Sequence, residues 1–419
     1  MKTLTVKLKQ HTPLIHFQHD QYGATLRASE VKPKLDKFIL TKLGDGDYDK
    51  GCELAKSKKW LVGKGEHNAL NYKIKVIILD NNREEYLIAS YLSENKALPL
   101  LNKQNINYIS PSPYFAQEKE NGEIVKGKRK WDDIKCKGIK YDVVNIEIFS
   151  LTDSMIDFIA RFIQSFFVCE NFGSRQNKGF GSYTVDKLVI SEKEQKKQLN
   201  LQNDEKLLKD NYTVCYKKVL KDISLNNIFS TIVEDYKLLK SGKSRPYAKS
   251  KLMLYGLESN KRWDKKFFKK QVNEEFDNED GDPYVLLDKH NNMDRKKNNN
   301  ESYYYLRALL GLAGQYEFLL ENPPGDDNRN KLIISVDGGE VERFKSPIFF
   351  KVINNILYLA ANPISPEILN KQFNFYVNIQ GDDGYENEQI DVLSTPSQFD
   401  LIGFLDFAMS DRTLNYKKV

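Results

Sequence analysis

A glycine-rich segment, residues 172–182, has the composition of a phosphate-binding loop and lies between a predicted helix and a predicted strand. Its glycines and bases are Gly173, Arg175, Lys178, Gly179 and Gly181. Glycines let the backbone approach an anion closely and expose successive N–H groups, and the two bases would supply charge. The order of elements excludes a dinucleotide-binding loop, which follows a strand and opens a helix, and no P-loop motif is present. The alternative interpretation is a helix C-cap followed by a sharp return turn.

A strongly basic run occupies residues 126–140, where seven bases face two acids. Its central residues are Lys128, Arg129, Lys130 and Trp131. Bases that pair with phosphates, next to an aromatic ring that stacks on a nucleobase, are typical of surfaces that bind single-stranded RNA. The alternative interpretation is a solvated charged face.

A second basic run, residues 261–270, has six bases and one acid and alternates them with Trp263, Phe267 and Phe268. It favours the same RNA-binding interpretation. Six acids follow in residues 273–282 and could fold back to neutralise it, so a purely structural run is the alternative. The whole chain has 64 Lys and Arg against 58 Asp and Glu, a net charge of +6 that does not by itself imply a polyanionic partner.

The elements that would position the glycine-rich segment form a recognisable order. Period-two and helical apolar patterns predict strand 1–15, helix 29–42 capped by Ser29, strands 72–79 and 86–92, strand 141–149, helix 154–170 and strand 182–190. This is the split βαβ order of the ferredoxin-like fold, with an insertion near residues 115–140. The first domain is therefore predicted to span residues 1–192.

The second half is predicted to be a diverged copy of the same architecture. A charged linker, residues 193–210, precedes it, and the second domain covers residues 211–419 with a mobile loop near 271–300. Its predicted elements are strand 211–219, helix 225–239, strand 251–255, helix 303–318, strands 332–336, 349–359 and 373–379, and helix 396–409. The predicted fold class is α+β, with two ferredoxin-like domains carrying loop insertions.

Length and composition limit the class of protein. The 419 residues are enough for two to three domains at about 150 residues each. No apolar run approaches the roughly 18 residues of a membrane span, and the first residues alternate like a strand, so we expect a cytoplasmic protein without a membrane partner. The four cysteines form no CxxC pair, and we expect neither a structural metal nor a cofactor.

Three segments, taken in order, resemble a known family. The glycine-rich segment resembles the signature of the RAMP superfamily of CRISPR-associated proteins, which lies between the last helix and last strand of an RRM-like domain. Thr12-Pro-Leu followed by residues 24–38 is similar to the first-numbered Cmr-type RAMP subunit of type III-B effectors, although Pro33 stands where that family has glycine. Residues 343–352, Arg-Phe-Lys-Ser-Pro-Ile-Phe-Phe-Lys-Val, are similar to an R..SP..FK segment of its C-terminal half.

The resemblance implies an RNA-binding subunit of a type III CRISPR effector in antiviral defence, engaging target RNA or the guide–target duplex without catalysis of its own. Its partners would be guide or target RNA and other effector subunits. Besides the bases and glycines of the two segments above, the implied RNA-binding residues are Arg27, Lys32, Lys34, Arg343 and Lys345.

The resemblance also leaves an enzymatic alternative open, since RAMP endoribonucleases that process guide RNA commonly use a histidine as general acid or base. His16 and His19 follow the first strand and are the candidates, and a spacing of three places them on opposite faces if the strand continues. If an aspartate cleaves the RNA backbone instead, as in some RAMP repeats, Asp20 is the single candidate near that strand. A third class, an RRM-like protein that binds host RNA, would share the basic surface but not the three ordered segments.

Overall fold

The computed structural model describes most of the chain. The described residues are 2–16, 25–63, 68–78, 83–88, 107–109, 137–193, 195–244, 246–275, 302–312, 315–319, 331–337, 339, 341–381 and 384–419. Several residues of interest, His19, Asp20 and Lys128 to Trp131, lie outside these ranges, as does the predicted mobile loop beyond residue 275.

Eight α-helices occur in the described residues, and side-chain caps account for several of their starts. Asp47, Asn203, Ser224, Ser250 and Asp400 each accept a hydrogen bond from a backbone N–H in the first turn. The helices are α1 Ala28–Leu43, α2 Tyr48–Ser57, α3 Asp153–Cys169, α4 Asp204–Asn211, α5 Leu225–Lys240, α6 Lys251–Glu258, α7 Asp264–Glu275 and α8 Leu401–Met409. None of them is long and apolar enough to span a membrane.

The first domain is built on a five-stranded sheet, here called the first sheet. Its strands and those of a small neighbouring sheet are β1 Lys2–Gln10, β2 Leu14–Ile15, β3 Lys73–Ile78, β4 Arg83–Ile88, β5 Tyr108–Ile109, β6 Lys137–Tyr141, β7 Val143–Ser150, β8 Tyr183–Glu192 and β9 Gln195–Leu199. The first sheet has the order β3-β7-β1-β8-β9 and is antiparallel throughout. Chain order β1-α1-β3-β7-α3-β8 with this strand order is the ferredoxin-like arrangement.

The second domain repeats that arrangement around a four-stranded second sheet. Its strands are β10 Val214–Val219, β11 Lys243–Ser244, β12 Tyr247–Ala248, β13 Lys261–Trp263, β14 Ser302–Tyr304, β15 Gln315–Leu319, β16 Lys331–Asp337, β17 Phe349–Ile353, β18 Ile356–Ala361, β19 Gln372–Gly381, β20 Gly384–Ser394 and β21 Lys417–Lys418. The sheet order β17-β18-β10-β21 and the chain order β10-α5-β17-β18-α8-β21 again give the ferredoxin-like fold. The predicted α+β class with two such domains is confirmed.

Insertions decorate both domains. In the first domain β2, β4, β5 and β6 form a separate sheet of order β2-β6-β4-β5. In the second domain β15, β16, β19 and β20 form another, inserted around β17 and β18. The helices α1 and α3 pack on one face of the first sheet, where Leu4, Val6, Leu8, Ile146 and Ile148 are fully buried. The alternation of these residues with polar neighbours is what made the strands predictable.

Three predicted elements in the second domain are wrong. The single strand predicted over residues 349–359 is an antiparallel hairpin of β17 and β18, which turns at Asn354, where φ is +52°. The predicted helix 303–318 is instead β14, a short 3-10 helix Leu306–Leu310 and β15, and its apolar residues are buried on several sides rather than on one helical stripe. The predicted strand 251–255 is the start of α6, where the Ser250 hydroxyl caps the helix by accepting from the Met253 N–H at 2.9 Å. Leucine and methionine there favour a helix.

The segment predicted as a linker, residues 193–210, is ordered where the structure describes it. It holds β9, which extends the first sheet beside β8, and the beginning of α4. Gln164 of α3 donates from Nε2 to the Gln202 carbonyl at 2.8 Å and to Asp204 Oδ1 at 2.9 Å. At the other end of the domain α1 begins at Ala28, with Arg27 rather than Ser29 as its N-cap residue.

Candidate nucleic-acid interface

The first turns of α1 contact the glycine loop, residues 171–182. The Gly173 N–H donates to Glu30 Oε1 at 2.6 Å, and Lys34 Nζ donates to the Asn171 carbonyl at 2.8 Å. Lys34 also lies over the Phe172 ring, 4.8 Å from its centroid. The helix that carries Lys34 therefore lies directly against the loop that carries Arg175.

The second domain contributes a third segment at the same place. Asn177 donates from Nδ2 to the Ser346 carbonyl at 2.6 Å, and its own carbonyl accepts from the Phe350 N–H at 3.1 Å. This contact brings the segment 343–346 beside the loop, with Arg343 and Lys345 exposed. The contacts bring together three segments from both domains. The bases on these segments are Arg27, Lys34, Arg175, Arg343 and Lys345; we call this group the α1–loop surface.

The positive charges of Lys34 and Lys345 are close enough to interact, since Lys345 contributes to the pKa shift of Lys34. The pKa of Lys34 is lowered, first by burial; Glu170 and Glu30 oppose the shift, and the charge of Lys345 adds to it. The Lys34 side chain is 25% exposed, and its Nζ lies 3.7 Å from Glu170 and 3.8 Å from Glu30. Part of the positive charge is therefore compensated within the protein, and the exposed Arg343 and Lys345 carry the charge available to an anion.

Lys178 lies in the contact between the two domains rather than on the surface. Its side chain is buried, with Nζ over the face of the Tyr236 ring, and this desolvation lowers its pKa far below the usual lysine value. The neighbouring charge of Lys240 acts in the same direction. The sequence predicted that Lys178 would offer charge to a phosphate, but a residue 6% exposed in the domain contact is not placed to do so.

The glycines of the loop serve close packing. Gly179 has φ +85°, and a Cβ there would lie 2.9 Å from Ile232 Cδ1 of α5. Gly173 has φ +78°, and a Cβ there would lie 2.5 Å from the Ile15 carbonyl oxygen. The Gly181 N–H donates to the Pro13 carbonyl at 2.8 Å, and a Cβ would clash with the Phe172 backbone. Both interpretations of the loop predicted glycine here, and in this structure the N–H groups of the three glycines donate to protein oxygens.

Lys32 is held by its own domain. Its Nζ donates to Asp36 Oδ2 at 2.8 Å and to the Leu70 carbonyl at 2.9 Å, and it lies 4.2 Å from the centroid of the Tyr72 ring. Burial raises the pKa of Asp36, and the Lys32 ammonium opposes that shift. This lysine stabilises the α1–β3 corner, whereas the sequence had placed it among the RNA-binding residues.

The aromatic side chains of the second basic run, residues 261–270, pack into the protein core. Trp263 and Phe268 are buried, and Phe267 packs against Phe268 and Tyr303. These rings are therefore part of the core of the second domain and are not available to stack on nucleobases. Of the six bases, Lys266 and Lys270 are exposed.

His16 is buried at 6% exposure where β2 meets the glycine loop. His19, the other histidine candidate, lies outside the described residues. Among the described residues no group of three or more His, Cys, Asp or Glu side chains could hold a metal ion.

Comparison with models of known protein families identifies the family of this chain. A family model for the Cmr1 N-terminal domain matches residues 1–243, and a model for the Cmr1 C-terminal domain matches residues 247–418. The chain belongs to the Cmr1 family. The resemblance of its motifs to a Cmr-type RAMP subunit is thereby confirmed, and other CRISPR effector subunits are the partners of this family. The family models meet near residue 245, and the domain division at 193–210 stays a prediction.

Among solved structures, the crystal structure of Cmr1 from Pyrococcus furiosus, in its apo form, is similar to this chain. The alignment covers 100% of this chain and 98% of that chain, with 12% sequence identity and a TM-score of 0.40. A comparison with curated proteins found no match.

The Cmr1 motif R..SP..FK ends in a residue whose role sequence reasoning missed. Lys351 of β17 is fully buried, and four acceptors of the first domain lie within hydrogen-bond distance of its Nζ, which has three N–H groups. These are the carbonyl oxygens of Phe167 at 2.7 Å, Glu170 at 2.8 Å and Tyr183 at 2.9 Å, and Asn171 Oδ1 at 3.1 Å. The first two lie at the C-terminal end of α3, where carbonyls lack helical partners and the dipole favours a cation.

His11 joins the same domain contact and provides a test by pH. Its Nε2 lies 2.8 Å from Thr184 Oγ1, and its Nδ1 accepts from the Asn354 N–H at 3.2 Å. The pKa of His11 is lowered from 6.5 to about 3, first by burial and then by the charges of Lys351, Lys9 and Lys140. Between these two values the unfolded chain binds a proton that the folded chain does not, so stability falls as pH falls.

We expect the His11 effect to approach about 1.4 kcal/mol per pH unit below pH 6.5. The measurement is denaturant unfolding of the wild type and of His11→Asn between pH 4 and 7. The variant is less stable at pH 7 but loses less stability on acidification, so the two curves converge. Parallel curves would show that His11 does not titrate differently in the folded state.

Proposed function

We propose that this Cmr1-family chain is the RNA-binding subunit of a type III CRISPR ribonucleoprotein in the cytoplasm, where it engages target RNA or the guide–target duplex and does not cleave it. The observation that carries the proposal is the α1–loop surface, on which bases of both domains meet. Arg343 and Lys345 are exposed on the segment that contacts the glycine loop, Arg175 belongs to that loop, and Arg27 is the N-cap residue of the helix that contacts it. Positive charges spread over a surface can neutralise successive phosphates of an RNA backbone. Such binding requires no catalytic side chain.

The burial of His16 supports binding over cleavage. A general acid or base must come within hydrogen-bond reach of the proton that it transfers. At 6% exposure His16 is packed by protein where the enzymatic alternative needs it to reach a 2′-hydroxyl or a leaving group.

Reversing the exposed charges tests the proposal. In Arg343→Glu with Lys345→Glu, two exposed cations become anions, and we expect the affinity for labelled single-stranded RNA to fall at least about tenfold at low salt. The dependence of log Kd on log salt should also become shallower, by about 0.7 for each phosphate that the protein no longer neutralises. Fluorescence anisotropy over a salt series, in EDTA, measures both.

The matched control is Lys206→Glu with Lys209→Glu, which makes the same charge change on the exposed face of α4. It should bind RNA almost as the wild type does. Equally weakened binding in both double variants would reduce the effect to net charge, and wild-type binding by the Arg343/Lys345 variant would remove the α1–loop surface from the proposal. RNA cleavage in EDTA that His16→Ala abolishes would establish the enzymatic alternative instead.

A further inference from the structure

One face of the first sheet is open to solvent in the part of the chain that the structure describes. The helices α1 and α3 cover the other face, and side chains alternate between the two along each strand. Apart from Thr184, which is buried beside His11, the residues named here on the open face are half-buried or exposed, in contrast to their fully buried neighbours. They include Thr3, Thr5, Lys7 and Lys9 of β1, Lys73 and Lys75 of β3, Asn145, Glu147 and Phe149 of β7, Lys187, Val189 and Ser191 of β8, and Lys196 and Gln198 of β9.

This open face is strongly basic. Six lysines, Lys7, Lys9, Lys73, Lys75, Lys187 and Lys196, share it with two carboxylates, Glu147 and Asp186. Lys7 pairs with Asp186 at 2.9 Å, and Lys9 donates to Asn354 Oδ1 at 2.9 Å. Among the described residues, none of the other four lysines has a carboxylate within ion-pair distance. The uncompensated charge is therefore available to an anionic partner.

The strand register places like charges against each other. Lys7 is directly opposite Lys187 on the neighbouring strand, an arrangement that destabilises an antiparallel pair. The β-bulge beside this pair brings in Asp186, which offsets one of the two charges. A sheet that binds no anion would gain stability from a neutral residue at either position.

An aromatic ring lies in the same face. Phe149 is half-buried and stands opposite Thr3 on one neighbouring strand and Lys73 on the other. The row continues through Ser191 to Lys196, so it crosses all five strands, a width of about 19 Å at the usual strand spacing. Lysines at both ends of the row and a ring between them provide phosphate contacts and a stacking platform.

We propose that this open face is a second RNA-binding surface, which contacts the backbone of single-stranded RNA through its lysines and stacks a base on Phe149. It rests on the proposed function for the identity of the polyanion, but it uses none of the residues of the α1–loop surface. The two surfaces are therefore separable by substitution.

Adjacent residues of β9 provide a matched test. Lys196 lies on the open face and Lys197 on the helix side, and both are exposed, so Lys196→Glu and Lys197→Glu make the same charge change on one strand. We expect Lys196→Glu to weaken RNA binding severalfold and Lys197→Glu to leave it near the wild-type value.

Substitutions on other strands of the open face extend this test. The double variant Lys75→Glu with Lys187→Glu should bind RNA at least about tenfold more weakly than the wild type. The control double variant Lys206→Glu with Lys209→Glu should bind RNA almost as the wild type does. Phe149→Leu, which keeps an apolar side chain, should bind about tenfold more weakly because stacking alone is removed.

The outcomes separate the two proposals. If the Arg343/Lys345 variant loses affinity and the open-face variants do not, the open-face inference is wrong and the proposed function stands. If the open-face variants bind RNA normally but fail to join the effector complex, the face binds an acidic protein surface instead. If the wild-type chain binds no RNA in any salt, both proposals are wrong.

Discussion

Replacing Lys351 by methionine is expected to lower the free energy of unfolding by about 3 kcal/mol or more, among the largest effects of any single substitution in this protein. The side chain is fully buried, and four oxygens of the other domain surround its ammonium group within hydrogen-bond distance. Methionine fills a similar volume but donates nothing, so buried acceptors at the end of α3 are left without a charged partner. Burial lowers the pKa of Lys351 to about 7, while Cys169, Glu170 and Asp204 oppose that shift.

The control for Lys351 is Lys217→Met on β10, a strand of the same sheet. Lys217 pairs with Glu205 at 2.8 Å, but both side chains are about one-third exposed, so its removal should cost less than about 1 kcal/mol. Denaturant unfolding of both variants measures the difference. Equal stabilities of Lys351→Met and Lys217→Met would contradict the central role of Lys351 in the domain contact.

Truncation of Phe180 to alanine is expected to lower stability by about 3–5 kcal/mol. The ring belongs to the glycine loop of the first domain but is fully buried in the core of the second, stacked on Phe229 of α5 with 3.9 Å between centroids. Its removal leaves a cavity where the two domains meet. Phe166→Ala, which removes an equally buried ring within the first domain, provides the comparison.

A double-mutant cycle separates the Phe180–Phe229 contact from simple loss of volume. We expect the Phe180→Ala/Phe229→Ala double variant to be less destabilised than the sum of the single variants, by about 0.5–1.5 kcal/mol. The pair Phe180→Ala/Phe166→Ala, with no shared contact, should be closer to additive. Additivity in both cycles would show that the stacking observed between Phe180 and Phe229 contributes no energy of its own.

Much of the fold followed from local pattern. Alternation in residues 2–10 and 143–150 predicted two central strands, and the apolar stripe of α3 predicted the helix between them and the glycine loop. The order of these elements was enough for the ferredoxin-like arrangement. The same reasoning gave a wrong helix for residues 303–318. Tyr305, Leu306 and Leu309 are buried among other strands and helices, so the spacing of apolar residues there does not report one buried face of a helix.

The interface followed from the sequence in part. The three motifs indicated the Cmr-type family, which the family models confirm, but the contact between the glycine loop and the segment 343–346 was not predicted from the sequence. The basic face of the first sheet was not predicted because its lysines come from three stretches of the chain, residues 7–9, 73–75 and 187–196, that lie far apart in the sequence. No window of the chain contains them, and only the register of the sheet brings them side by side.

The sequence by itself determined the strand and helix periods, the family motifs and the positions of the charges. The tertiary structure alone decided which charges face water. Lys178, Lys345 and Lys351 lie within or beside two motifs that both read as basic, yet Lys345 is exposed and the other two are buried in the domain contact. A side chain's charge is a property of its residue type, whereas its desolvation and its partners depend on chain segments brought to it from far along the sequence.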